Sequence, residues 1–142
     1  MEKPPVRLLL SWAEDLVFRA EVDDGRELLI DGDSRRSLSP VELLAVAVTG
    51  CMAADVVHIL TRARQPLRGL RASFTGLRAA SDPHRFVKMR LEFIAEGPVA
   101  PAKLERALEL SKEKYCSVLN TLREDITLEL LSRVETGPGP GG

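Results

Sequence analysis

The sequence predicts an α+β fold in which antiparallel sheets surround one long central helix. Three observations carry this. Apolar residues alternate near both ends of the chain, a long capped and apolar helical segment lies between them, and turn residues mark the strand junctions.

Three short strands open the chain. Val6, Leu8, Leu10 and Trp12 alternate with Arg7, Leu9 and Ser11, and Phe18, Ala20 and Val22 alternate with Val17, Arg19 and Glu21. Asp23-Asp24-Gly25 offers a turn, and a third run, Glu27-Leu28-Leu29-Ile30, ends at Asp31-Gly32-Asp33-Ser34.

The central helix has the plainest signal. Ser39 suits the N-cap, Pro40 the first helical position, and Glu42 stands three residues after the cap, completing a capping box. The helix is expected to run to about Gln65, where Pro66 stops it. Such a helix is about 39 Å long, against a radius of gyration of about 14–15 Å for a chain this size. Its middle, Leu43 to Ala54, is apolar around the whole circumference and must be covered on every side. One small sheet covers one side, so a partner subunit is expected on another.

Two longer strands follow, through Leu70, Ala72 and Phe74 and through Val87, Met89, Leu91, Phe93 and Ala95, joined by Ser81-Asp82-Pro83-His84. Pro98 and Pro101 introduce a second helix with Leu104, Ala107, Leu108 and Ser111 on one face. A short helical turn from Cys116 to Leu122 and a last strand through Ile126, Leu128 and Leu130 complete the order. Residues 1–135 read as a single domain, and 136–142 as a flexible Gly/Pro tail.

Composition excludes several classes. Hydrophobic residues at 44% and charged ones at 29% are globular proportions, and a net charge of −1 without a clustered basic face argues against a nucleic-acid partner. The N-terminus lacks a signal-peptide pattern, and the longest charge-free stretch, Leu43 to Ala54, is too short to span a bilayer. A cytoplasmic location without membrane association is the expectation. In that reducing compartment the 2 cysteines point to redox or catalytic use rather than a disulfide scaffold.

Cys51 lies mid-helix among small residues, with Gly50 allowing close approach. Cys116 lies in Lys112-Glu113-Lys114-Tyr115-Cys116, at a helix junction where nearby lysines and a helix N-terminus favour thiolate. The competing reading for each is a packed, inert thiol, because free cysteine is among the most buried residue types. Their separation fits neither a CxxC redox motif nor a zinc knuckle, so no metal or cofactor is expected.

The remaining candidates rank below the cysteines. His58 is seven residues beyond Cys51, a rise of about 10.5 Å, too far for a catalytic base. Asp55 is one turn from Cys51, where a carboxylate raises a thiol's pKa. His84, beside Pro83, reads as surface. Arg35 and Arg36 precede the helix, and a guanidinium beside a thiol stabilises thiolate; Glu42 can orient such an arginine, though its capping role already accounts for it.

With both cysteines in view, the chain resembles the OsmC/Ohr family of thiol-dependent peroxidases from the N-terminal strands to about Val134. Ser39-Pro40-Val41-Glu42-Leu43-Leu44 followed by Thr49-Gly50-Cys51 is similar to the family's central-helix motif, and Glu113-Lys114-Tyr115-Cys116 to the segment with its second cysteine. The resemblance implies an intertwined homodimer with sites near the subunit interface. It implies that Cys51 attacks an organic hydroperoxide and that Cys116 resolves the sulfenic acid to a disulfide, which a dithiol reductant of lipoyl type resets. Family peroxidases place a glutamate directly after the proline; here that residue is Val41, and Glu42 comes one residue late, turned by about 100°. The family's activating arginine would be Arg35 or Arg36, with Arg19 a weaker candidate. The pattern resembles the OsmC-like branch more than Ohr itself. The alternative is a redox-sensing or small-ligand-binding protein on the same scaffold.

Overall fold

A computed structural model describes residues 2–136. Residues 137–142 of the expected Gly/Pro tail lie outside the described residues. The chain divides into two compact units, Met1–Leu44 and Ala45–Gly142.

The first unit is a three-stranded antiparallel sheet of β1 (Leu8–Glu14), β2 (Val17–Val22) and β3 (Glu27–Asp31), in that order. Register pairs Leu8 with Val22, Leu10 with Ala20 and Trp12 with Phe18, and β3 adds Leu28 opposite Ala20 and Ile30 opposite Phe18. Strict alternation therefore gathers these eight apolar side chains on one face. Leu8, Leu10, Trp12 and Leu28 on that face remain exposed, Trp12 at 70%.

α1 (Pro40–Arg62) starts where expected. Ser39 Oγ accepts from the Glu42 amide at 3.1 Å, and Glu42 Oε1 accepts from the Ser39 amide at 2.9 Å, the reciprocal capping box. The helix ends three residues before Gln65. Arg64 turns left-handed (φ 57°), its amide bonds Thr61 O, and the Gln65 amide bonds Leu60 O, a Schellman closure that stops the helix before Pro66.

In the second unit, β4 (Gly69–Arg78), β5 (Phe86–Glu96) and β6 (Thr127–Glu135) form a sheet in that order. β4 and β5 are antiparallel, but β5 and β6 are parallel, which corrects the all-antiparallel expectation. The reason lies in the connection: α2 (Pro101–Leu110), a π-helical turn at Ser111–Tyr115 and α3 (Ser117–Thr121) carry the chain back to the start of the sheet, as a parallel pairing requires. The π turn escaped the sequence reading because its side-chain pattern differs little from an α-helical one.

Register sets Phe74, Leu91 and Leu130 in one row and Gly76, Met89 and Leu128 in the next. Against this face lie Val48, Met52, Val56 and Leu60 of α1, a buried stripe at four-residue spacing, together with Leu104, Ala107 and Leu108 of α2. By length and composition α1 is apolar enough to cross a bilayer, more than its charge-free run implied, yet its stripe is the core of this unit. Gly76 matters to the packing: a Cβ there would stand 2.4 Å from the Phe86 ring and 2.8 Å from that of Phe74. The two rings meet edge-on with centroids 5.7 Å apart.

Candidate functional site

Two elements of the second unit build the site. Cys51 and Asp55 stand one turn apart on α1 and so project from the same side of the helix. Cys116 follows the π turn, where its own amide bonds the Ser111 carbonyl at 2.8 Å. It leaves the helical conformation (φ −74°, ψ 99°) and caps α3, its sulfur accepting the Leu119 amide at 3.3 Å. The two sulfurs and a carboxylate oxygen of Asp55 all lie within 4.8 Å of one another. Both cysteines are free thiols, Cys51 half-buried and Cys116 fully buried.

Ser111 holds the group together. It is fully buried, and its hydroxyl donates to Asp55 Oδ2 at 2.8 Å. Nearby, the Asn120 amide nitrogen donates to the carbonyls of Lys112 and Cys116 at 3.0 and 2.8 Å, fixing the turn that carries the second cysteine.

Electrostatics separate the expectation from the outcome at Cys116. Burial pushes its thiol up to about 11, opposed by the Leu119 amide and reinforced by Cys51 and Asp55. The neighbouring lysines were expected to favour thiolate. Lys112 and Lys114 are instead exposed, and burial is the largest influence on the thiol.

In the first unit, Glu42 accepts from the Ser34 hydroxyl as well as the Ser39 amide, and these bonds hold its carboxyl below the ordinary value. The Arg36 guanidinium is bound to Asp15 at 2.5 Å and Glu14 at 3.6 Å, while the Arg35 and Arg36 amides donate to the buried Asp31 carboxylate. Arg19 is exposed on β2. In the second unit His58 and His84 are exposed, and Asp82 accounts for His84 at 3.0 Å.

Sequence reasoning missed Ser111 as a site residue and set Asp55 aside. Both left a signal: a serine on the otherwise apolar face of Leu104, Ala107 and Leu108 needs a polar partner, and Asp55 sits at i+4 from the first cysteine. Chemically, the pair is suited to two-electron thiol–disulfide redox. From 4.8 Å or less, reaching the S–S bond length of about 2.05 Å requires a closure of at most about 3 Å.

Comparisons with known proteins agree with this architecture. The chain is 36% identical over 121 residues to the protein YhfA of Escherichia coli K12, a match covering 84% of this chain and 90% of that one. A hypothetical protein from Aquifex aeolicus superposes with a TM-score of 0.86 at 28% identity, covering 94% of this chain and 98% of that one. The organic hydroperoxide resistance protein OhrB of Bacillus subtilis shares the fold at a TM-score of 0.60 and 14% identity, covering 91% and 98%. The family model described as OsmC-like protein matches residues 31–131, and the chain belongs to the OsmC-like family.

Proposed function

We propose that this protein is a cytoplasmic thiol-dependent peroxidase that reduces organic hydroperoxides, with Cys51 as nucleophile and Cys116 as resolving thiol. One observation carries the reading: two free thiols, far apart in sequence, meet within 4.8 Å, one of them half-open to solvent. Family membership supports a redox-related role.

The Cys51 thiolate attacks one peroxide oxygen, the O–O bond breaks, and the alcohol leaves with a proton, giving a sulfenic acid. The Cys116 sulfur then attacks the sulfenic sulfur. The S–S bond forms, the S–O bond breaks, and hydroxide leaves as water with the proton from Cys116. Because burial keeps that thiol protonated, it needs a proton acceptor, and the Asp55 carboxylate lies beside it. A dithiol reductant of lipoyl type restores the pair by exchange. The exposed apolar face of the β1–β3 sheet supports a homodimer, because a patch built from Leu8, Leu10, Trp12 and Leu28 favours burial against a second surface.

A stoichiometric redox sensor is the second reading. It is favoured by the raised pKa of Cys116, which would slow turnover.

Reduced protein treated with cumene hydroperoxide is expected to lose two thiols per chain to one intramolecular disulfide. Cys51→Ser should abolish consumption of the peroxide, and Cys116→Ser should stop at a sulfenic acid that dimedone traps. Sustained turnover with a dithiol reductant supports the peroxidase; oxidation that halts after one equivalent supports the sensor. Both thiols surviving peroxide that oxidises a small free thiol would overturn the two readings together.

A further inference from the structure

We propose that reduced Cys51, Cys116 and Asp55 form a three-donor site for a thiophilic divalent cation of zinc's class, with a fourth coordination position left open. Sequence spacing excluded the short-range metal motifs, but folding supplies the third donor from another element.

Geometry supports this first. Tetrahedral zinc, with bonds of about 2.3 Å to sulfur and about 2.0 Å to oxygen, sets neighbouring donors about 3.5–3.8 Å apart. Donors already within 4.8 Å of one another need contract by little more than about 1 Å.

The surroundings add a second, independent argument. Asp55 makes no ion pair among the described residues, so its carboxylate sits beside two sulfurs without a cationic partner. Its hydrogen-bond donor is the buried Ser111 hydroxyl, and the Cys116 sulfur accepts the Leu119 amide. Donors aimed at the ligating atoms from outside are what metal centres use to orient anionic ligands. Two thiolates and a carboxylate carry three negative charges, which a divalent cation would largely neutralise. Half-buried Cys51 and Asp55 leave an entry, while Cys116 and Ser111 form the floor.

The site goes beyond the peroxidase reading and does not depend on it. A disulfide has no thiolate to give, so the metal-bound and disulfide states exclude one another. Cation binding would therefore hold the pair reduced and unavailable to peroxide.

The test is anaerobic titration of the reduced full chain with Co²⁺, followed by competition for Zn²⁺ with a chromophoric chelator. One Co²⁺ per chain should bind, with thiolate-to-cobalt charge-transfer absorption and visible bands of tetrahedral intensity. Asp55→Asn should keep the charge-transfer band but weaken Zn²⁺ affinity at least tenfold. Ser111→Ala should weaken it about 10-fold, at the lower end of outer-shell effects. Wild-type protein oxidised with diamide to its disulfide should bind no Co²⁺, an arm that needs no substitution. Absence of the charge-transfer band in reduced wild type would overturn the proposal, as would an unchanged affinity in folded Asp55→Asn or undiminished binding by the disulfide form. None of these readouts requires peroxide turnover, so a failed peroxidase assay and a failed metal titration remain separate results.

Discussion

The buried Ser111 hydroxyl donates to the Asp55 carboxylate at 2.8 Å, tying the π turn before Cys116 to the middle of α1. The bond fixes the distance between the segments that carry the two cysteines.

Ser111→Ala removes that tie and leaves a half-buried carboxylate short of a donor. We expect a loss of about 1–3 kcal/mol in urea unfolding. Peroxide-driven disulfide formation should slow by more than the loss of folded protein accounts for. Stopped-flow thiol loss measured well below the denaturation midpoint separates the two effects.

The raised Cys116 thiol predicts a pH dependence whose sign can be worked out. The ordinary value is 9.0 and the folded value about 11, so the unfolded chain releases this proton first as pH rises. Below pH 9 both states are protonated and the contribution to stability is complete; it is lost as pH rises from 9 towards 11. In metal-free Cys51→Ser protein, alkylation of Cys116 should therefore titrate with an apparent pKa above 9, since burial, the leading cause, remains. A midpoint below 8 would show that the lysines outweigh burial after all.

Among the described residues the Arg35 guanidinium makes no ion pair, whereas that of Arg36 is held by Asp15 and Glu14. Arg35→Ala, which breaks no ion pair, should therefore leave thermal stability nearly unchanged. Arg36→Ala should chiefly lower thermal stability. Glu42→Gln, which keeps the capping geometry, should change thermal stability little. Equal losses of thermal stability in the two arginine variants would remove the distinction.

Gly76→Ala places a methyl group against the Phe86 and Phe74 rings. Overpacking of this kind costs about 1–3 kcal/mol, and we expect a lowered unfolding midpoint with the edge-on ring pair disturbed. An unchanged midpoint would mean that the rings move aside without cost.

Much of the architecture was legible because it is written in local patterns. The Ser39-Pro40-x-Glu42 cap, the alternation in β5 and the Leu104, Ala107, Leu108, Ser111 face each need only a few neighbouring residues, and each appears as read. The helix end at Arg62 was misplaced by three residues because a left-handed Arg64 closed it, and nothing in an arginine announces that conformation. The parallel pairing of β6 was hidden because register depends on where the intervening helices deliver the strand.

By itself the sequence determined which segments are helix and strand, which faces are apolar, and that two cysteines were worth following. Those properties follow from side-chain chemistry and spacing along one chain. Only the tertiary structure decided that Asp55 and Ser111 join the cysteines and that Cys116 is a buried, reluctant acid rather than a ready thiolate. Proximity across the fold and the loss of water around a thiol are set by how elements pack, and neither can be read from residue order alone.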